Sequence, residues 1–415
     1  MQDGQPNGNA PWIGLVVVAA LGYFVDIYDL ILFNVIKTPS LQEFGFVPGS
    51  DAFKAIEVAM FNWQMFGMLL GGLAFGILGD RKGRVSALFG SILLYSLANL
   101  ANSFVHDMTA YQACRFFAGL GLAGELGAGV TLVSETMPKR IRGWGTVIIV
   151  TFGTLGAVAA FVVGKEMGWR NAYLAGGALG LVLLFVRMRS FESAMFLRTA
   201  KVSAGRGNFL MVFRSPARAV RFLSCIAIGI PIWFAVGVLV ALSSRFAAAS
   251  GAVDVNVGQA VMFAYIGISA GDLVSGVLSQ VLASRRKVIL AYLLFLAATT
   301  TVYLNLPAVS STTFYVMTFL IGCGVGYWAL FVTVASEQFG TEIRSTVANT
   351  VPNFVRGAVI PITFAFQLLG PGLGVRMAAG AIGAVCLVLA LIGLALLPET
   401  FGKELDYLEA DSSPA

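Results

Sequence analysis

Residues 12–36 read WIGLVVVAALGYFVDIYDLILFNVI, and Asp26 and Asp29 are the only charged residues in this apolar run. A helix that crosses the hydrocarbon core of a bilayer, about 30 Å thick, needs about 20 such residues. The rest of the chain has the same character: 58% of its 415 residues are hydrophobic and 12% are charged, whereas soluble domains carry about 25% charged residues. The sequence therefore predicts an integral membrane protein, surrounded by a lipid bilayer.

About twelve runs of this kind follow one another, so we expect an all-α membrane protein with twelve transmembrane helices. Their approximate ranges are 12–36, 57–79, 85–105, 108–133, 145–163, 171–187, 222–244, 256–280, 288–306, 312–335, 346–369 and 376–397. The longest polar segment, 187–221, separates six runs from six. It is predicted to be a cytoplasmic basic connector between an N-terminal bundle, 1–186, and a C-terminal bundle, 222–398, with a cytoplasmic tail at 399–415.

The two halves share short motifs at a constant spacing, which indicates two six-helix pseudo-repeats. The recurring pairs are Ser134-Glu135 with Ser336-Glu337, and Ile141-Arg142 with Ile343-Arg344. Parallel repeats of six helices are typical of transporters, because a site between two similar bundles can open to each side in turn.

Most lysine and arginine residues fall on one side of the membrane when the N-terminus is placed in the cytoplasm. This excess is the usual pattern of cytoplasmic loops. The net charge of +6 therefore reflects topology, and nucleic-acid binding is not expected. We expect a monomeric, multi-pass protein of a bacterial-type inner membrane, with both termini in the cytoplasm.

The sequence lacks the residues that several classes of activity require. The single histidine, His106, lies in an outer loop, and no nucleophile, base and orienting group can be assembled around it. No GKS or GKT phosphate loop is present, which argues against a directly ATP-driven pump. The cysteines stand singly in apolar runs, so neither disulfides nor a zinc site are predicted. We expect no enzyme activity, no cofactor and no metal.

Charged residues inside apolar runs are costly, at least about 2.5–3.5 kcal/mol each, and therefore require a partner, a cavity or a function. Asp26 and Asp29 are three residues apart and share a helix face, which suits a proton carrier. Arg115 cannot lose its proton, but it can tune a neighbouring carboxylate. Glu125 is a candidate second protonation site. The alternative is a structural ion pair between one aspartate and Arg115.

Arg356 is a candidate ligand for an anionic substrate, since a guanidinium binds a carboxylate or phosphate through paired hydrogen bonds. Asn353 lies one turn away. The alternative is that Arg356 pairs with Glu125 or Asp272. Polar and aromatic residues of other runs are candidates to line a central cavity, although packing or lipid contact would also explain them. These candidates are Gln64, Trp233, Tyr327 and Trp328.

Acidic and basic residues recur at the inner ends of the runs and predict a cytoplasmic gate that is closed by charge pairs. Its candidate members are Asp80, Arg81, Arg84, Glu135, Arg142, Asp272, Glu337 and Arg344. The alternative is ordinary topology, but topology requires only the basic residues. Glu57, at the outer edge of the second run, is interpreted as a solvated residue.

Three motifs resemble those of one family. Gly76-Ile-Leu-Gly-Asp80-Arg-Lys-Gly-Arg84 resembles the signature loop of the major facilitator superfamily, and Arg115-Phe-Phe-Ala-Gly-Leu-Gly-Leu-Ala-Gly-Glu125 resembles its fourth-helix motif. Phe191-Glu192-Ser193 and Pro398-Glu399-Thr400 resemble the paired PES and PET motifs of sugar porters and of organic-ion and aromatic-acid transporters. The resemblance covers essentially the whole chain and implies the twelve-helix major facilitator fold.

Details of the resemblance bear on the substrate. Asp26-Ile-Tyr-Asp29 is most similar to aromatic-acid and metabolite proton symporters, in which an acidic pair here is tied to proton coupling. The resemblance also implies that Arg115 pairs with Asp29. Residues 228–233 lack the glutamine pair of sugar porters, which disfavours a sugar. Gln280 stands where the second-half loop of the family has an aspartate.

The predicted function is secondary transport of a small organic anion, a carboxylate-type metabolite, by proton symport and alternating access. One rival is a proton-driven exporter of amphipathic compounds. The other is a receptor or scaffold that shares the fold without transporting.

Overall fold

The computed structural model describes residues 11–82, 84–125, 142–195, 209–252, 254–340 and 343–403. Within these ranges the side chains of residues 11–13, 15, 80, 84, 85, 142, 143, 189–195, 210 and 345 are not described. The described chain is built of helices and the turns that join them, which confirms the all-helical class.

The α-helices are, in chain order, α1 (Pro11–Glu43), α2 (Asp51–Lys82), α3 (Arg84–Asn102), α4 (Met108–Leu122), α5 (Arg142–Thr154), α6 (Gly156–Met167), α7 (Trp169–Met195), α8 (Pro216–Phe234), α9 (Ser243–Ala249), α10 (Val257–Val281), α11 (Arg285–Leu304), α12 (Ser311–Val325), α13 (Trp328–Glu337), α14 (Arg344–Gly357), α15 (Val359–Leu373) and α16 (Val375–Leu396). A 3-10 helix at Phe209–Phe213 precedes α8, and a π-helix at Ala235–Val240 follows it.

Ten segments of the described chain are long and apolar enough to cross a membrane. The third predicted run is a shorter apolar helix, Ser86–Asn102. The fourth begins as α4, and the residues that follow it, 126–141, lie outside the description. These elements are consistent with twelve crossings.

Among the described crossings, three consist of two helices in sequence, namely α5 with α6, α12 with α13 and α14 with α15, and one consists of α8, the π-helix and α9. A proline and a glycine lie close to two of these breaks. Pro231 lies inside α8 just before the π-helix, where its ring removes a backbone donor and strains the turn before it. Gly326 ends α12, and a side chain at this position would overlap the backbone of Gly271 in α10. The breaks place helix ends, with their unpaired backbone groups, deep inside the bundle.

We call the membrane face at which α1 begins and α2 ends the proximal face, and the opposite one the distal face. The predicted orientation makes the proximal face cytoplasmic.

Candidate functional site

A small cavity lies between the two halves of the chain, at the level of the broken helices. Its volume is about 20 Å³, which is room for about one water molecule. The lining residues are Tyr23, Ile27, Thr154, Ile232, Trp233, Val236, Tyr265, Ile268, Trp328 and Arg356. Both halves contribute to this lining, and the cavity is too small to hold an organic molecule in this structure.

Arg356 is the charged residue of this lining and is 1% exposed. Its Nη1 donates a hydrogen bond of 3.1 Å to Oδ1 of Asn353. Its guanidinium lies over the rings of Trp328, at 5.4 Å, and Trp233, at 5.8 Å. Nε and Nη2 have no hydrogen-bond acceptor among the described residues. Arg356 therefore keeps donors for an anionic ligand.

The predicted alternative, in which Arg356 pairs with an acid, is not what the described residues show. Glu125 binds Arg187 instead. Asp272 accepts a hydrogen bond of 2.8 Å from the backbone amide of Ala329 through Oδ1. This amide lies at the start of α13, where the break in the tenth crossing leaves backbone N–H groups without a partner in the helix. Asp272 accepts a hydrogen bond from one of them and so caps α13. The gate role predicted for Asp272 stays a prediction, but its carboxylate lies at the helix break in the bundle interior.

Aromatic residues from both halves meet beside Arg356. Nε1 of Trp328 donates a hydrogen bond of 2.8 Å to the Tyr23 hydroxyl, which joins α13 to α1. The ring centroids of Trp233 and Trp328 are 6.3 Å apart with a T-shaped arrangement. The cavity therefore offers flat apolar walls next to a cation.

Two other predicted substrate ligands lie outside the cavity lining. Tyr327 is buried and donates to the Ile228 carbonyl at 2.8 Å. Gln64 is buried and donates to the Leu30 carbonyl at 3.4 Å. Each packs inside its own half, Gln64 in the first and Tyr327 in the second. Tyr23 was missed, although it lies one turn before Asp26 on the same helix face.

The interior of the first half holds the predicted proton-coupling residues. Asp26 and Asp29 are fully buried. Neither carboxyl group makes a hydrogen bond of ordinary geometry in the part of the chain that is described, although the Asn99 side chain lies close to Asp29. Asp26 lies within electrostatic range of Glu125 and of Arg356, the cavity cation, whereas Asp29 lies within range of Arg115.

Arg115 does not form the ion pair that the family resemblance implied. Its guanidinium lies over the rings of Phe33, at 5.7 Å, and Tyr173, at 5.4 Å, and its nitrogens have no acceptor among the described residues. Asp29 is within electrostatic range but makes no hydrogen bond to it. A buried cation and a buried acid therefore face one another without direct contact.

Glu125 is paired with a residue that the sequence placed elsewhere. Nη2 and Nη1 of Arg187 lie 2.5 and 2.9 Å from its two carboxylate oxygens, and both side chains are 2% exposed. Position 187 was assigned to the polar connector, but it lies inside α7 and is buried. The sequence signal was weak because Arg187 stands at the very end of an apolar run.

The second-half part of the predicted gate lies at the proximal face. Nη2 of Arg285 is 3.4 Å from Oε1 of Glu337, and its Nη1 donates to the Ser279 hydroxyl at 2.6 Å. Arg344 is buried and donates from Nε to the Phe339 carbonyl. Of the first-half members, Arg81 is exposed. The structure does not describe the side chains of Asp80, Arg84 and Arg142, and Glu135 lies outside the described residues.

Glu399 of the predicted PET motif completes this part of the proximal face. It accepts hydrogen bonds from the Ser284 hydroxyl and from backbone amides at the start of α11 and after position 399. Burial acts to raise the pKa of Glu399, but these hydrogen bonds outweigh it and lower the pKa to about 2. A carboxylate at a helix N-terminus is also favoured by the helix dipole. Glu399 therefore fixes the segment after α16 onto the start of α11.

Known proteins resemble this chain over most of its length. A model of the Major Facilitator Superfamily matches residues 19–351. A probable 4-methylmuconolactone transporter of Cupriavidus pinatubonensis is 29% identical over 365 residues, 83% of each chain. A gentisate transporter of Corynebacterium glutamicum is 27% identical over 404 residues, 89% of this chain and 85% of its own. A 4-hydroxybenzoate transporter of Pseudomonas aeruginosa is 30% identical over 221 residues, 52% of this chain and 48% of its own.

Proposed function

Because the chain belongs to the Major Facilitator Superfamily, as its motifs predicted, we propose that it carries a small aromatic carboxylate across the inner membrane by proton symport and alternating access. The observation that carries this proposal is Arg356, which is buried between two tryptophan rings with donors unused, in a cavity that both halves line.

The chemistry of the cavity favours an aromatic acid over other organic anions. A guanidinium binds a carboxylate through two parallel hydrogen bonds, and the rings of Trp233 and Trp328 can pack against a flat ring that carries it. Gentisate and 4-hydroxybenzoate, which name two of the relatives, are aromatic carboxylates. The cavity of about 20 Å³ must widen to admit such a molecule, as alternating access requires.

Proton coupling is supported by Asp26 and Asp29, which are buried without hydrogen bonds of ordinary geometry in the described chain. A proton that binds here removes a buried negative charge, and the burial of such a charge is costly. Asp26 also senses Arg356. A substrate anion that neutralises Arg356 would therefore change the electrostatic environment of Asp26. Binding of the anion and binding of the proton are coupled in this way.

The number of protons decides which gradient drives transport. One proton with a monoanion is electroneutral, so each pH unit supplies about 1.4 kcal/mol, or tenfold accumulation. With two protons, one on each aspartate, the complex carries a net charge. The membrane potential then adds about 2.3 kcal/mol per 100 mV, which is about fiftyfold.

Uptake into proteoliposomes tests the proposal. We expect 4-hydroxybenzoate or gentisate to accumulate when a pH gradient is imposed, and Asp29→Asn to abolish accumulation while it leaves exchange of substrate for substrate partly intact. Asp51→Asn, which changes an exposed carboxylate of α2, is the matched control. Wild-type accumulation by Asp29→Asn would refute its coupling role, and transport of amphipathic compounds instead of acids would favour the exporter.

A further inference from the structure

Three charges, two of them buried and one partly buried, meet at the distal face and join the two halves of the chain. Nζ of Lys37 in α1 lies 2.7 Å from Oε2 of Glu57 in α2. Nη2 of Arg245 in α9 lies 2.6 Å from Oε1 of the same glutamate. The side chains of Lys37 and Glu57 are 3% exposed and that of Arg245 is 15% exposed. The interpretation of Glu57 as a solvated residue was therefore wrong.

The seventh crossing is shaped to receive this cluster. After the π-helix, the amide of Arg245 donates to the Leu242 carbonyl instead of the Ala241 carbonyl. The Ala241 carbonyl accepts a hydrogen bond of 2.7 Å from Lys37 instead. Short π-helical segments often lie at functional sites. Lys37 therefore binds the Glu57 carboxylate in its own half and the Ala241 carbonyl in the other half.

A second donor crosses the same boundary. Nη2 of Arg245 also donates to the Lys54 carbonyl at 3.0 Å, so α9 is tied to α2 through both a side chain and the backbone. One turn below Glu57, Phe61 packs near Gly237 of the π-helix. The cluster therefore lies over the seam between the halves.

Two cations share one carboxylate in this cluster, and such an arrangement is suited to a change between two states. When it is closed, the charges attract one another but are removed from water. When the seam opens, they separate and regain hydration, and this compensation leaves the net contribution of a buried ion pair small. Loss of Glu57 alone would leave two cations, one buried and one partly buried, beside each other, and such a state is relieved only by access to water.

We propose that Lys37, Glu57 and Arg245 form a latch that closes the distal face and releases when the central site opens to that side. This inference rests on the proposed alternating access. It assigns the closed distal face to a cluster that is separate from the predicted gate at the proximal face.

The experiment measures how fast a thiol reagent modifies single reporter cysteines in the detergent-solubilised full chain, with the four native cysteines replaced. Phe61→Cys reports on the distal seam. Thr346→Cys, which lies against Gly76 between α2 and α14, reports on the proximal seam. In Glu57→Gln we expect modification at position 61 to accelerate about tenfold or more, which corresponds to about 1.4 kcal/mol, and modification at position 346 to slow.

Opposite changes at the two reporters distinguish a latch from a loosened fold, because general destabilisation exposes both. Asp51→Asn is the matched control: it removes the carboxylate of an exposed pair with Lys54 in the same helix, and such pairs contribute little. We expect it to leave both rates unchanged. Glu57→Asp keeps the charge and should restore most of the protection at position 61.

If Glu57→Gln does not fold, Arg245→Gln takes its place, since Lys37 and Glu57 remain a balanced pair in that variant. Unchanged modification at position 61 in a folded variant, or equal acceleration at both reporters, would overturn the latch. The measurement needs neither substrate nor a proton gradient. A failure of proton coupling would therefore leave its outcome intact, and a failure of the latch would leave the transport assay intact.

Discussion

Arg356→Gln is the most direct test of how the site recognises its substrate. The substitution removes one hydrogen bond to Asn353, worth about 1 kcal/mol, and two contacts with tryptophan rings, worth about 0.5–2 kcal/mol each. It also removes a buried charge that has no anion within bonding distance among the described residues, which offsets much of that loss. We expect the free energy of unfolding to change by less than about 2 kcal/mol.

The effect on substrate binding should be larger. Truncation of one partner of a buried, hydrogen-bonded charge pair costs about 2–5 kcal/mol, which raises the dissociation constant by about 30-fold to about 4,000-fold. Quenching of tryptophan fluorescence by 4-hydroxybenzoate measures this constant, because Trp233 and Trp328 line the cavity. Thermal unfolding of the same samples reports stability.

Arg115→Gln provides the matched control for Arg356→Gln. Arg115 is also a buried arginine between aromatic rings without a hydrogen-bond acceptor in the described chain, but it does not line the cavity. Its loss should change coupling and leave binding near the wild-type value. Equal weakening in both variants, or wild-type binding by Arg356→Gln, would refute the assignment of Arg356 to the substrate.

Three further outcomes are expected, each measured by unfolding of the solubilised protein. Arg187→Gln should lower the free energy of unfolding by about 3–5 kcal/mol, because it leaves the buried Glu125 carboxylate without a partner. Adding Glu125→Gln should recover most of this loss. Unchanged stability of Arg187→Gln would mean that the two residues are not paired in solution. The stability advantage of the wild type over Glu399→Gln should be complete above the ordinary pKa of 4.5 and shrink as the pH falls towards 2, since the folded pKa is the lower one; a constant advantage would contradict the hydrogen bonds described for Glu399. Asp272→Ala should cost about 1–3 kcal/mol by leaving the Ala329 amide unpaired, whereas Asp272→Asn, which keeps an acceptor, should cost less; equal losses would mean that charge, not capping, matters.

The fold was predictable because the membrane imposes it. Each crossing requires a long apolar run, and a run is a local property that a single sequence displays. The family motifs added the arrangement of the runs. The helix breaks were less visible: Pro231 and Gly326 signal two of them, but whether a proline or a glycine breaks a crossing depends on the neighbouring helices.

The candidate site was predicted in part, since Arg356, Trp233 and Trp328 stood out as unusual residues within apolar runs. Their partners did not stand out. Arg187 and Glu125 are separated by 62 positions, and Glu57 and Arg245 by 188. Pairing over such separations leaves no periodic trace in one sequence, so charges at the ends of runs resemble solvated residues until the bundle is assembled.

The pairing of Glu125 with Arg187 also constrains how the chain is made. The ribosome delivers the fourth predicted run, 108–133, before α7, so Glu125 is synthesised before the residue that neutralises it. An unpaired charge inside an apolar run is costly to insert, and this run is therefore expected to gain its full stability within the bilayer only after α7 arrives. The first half is consequently expected to complete its folding only when its sixth crossing has been synthesised. A nascent chain that stops before position 187 leaves Glu125 unpaired, and we expect cellular quality control to recognise such a chain as incompletely folded.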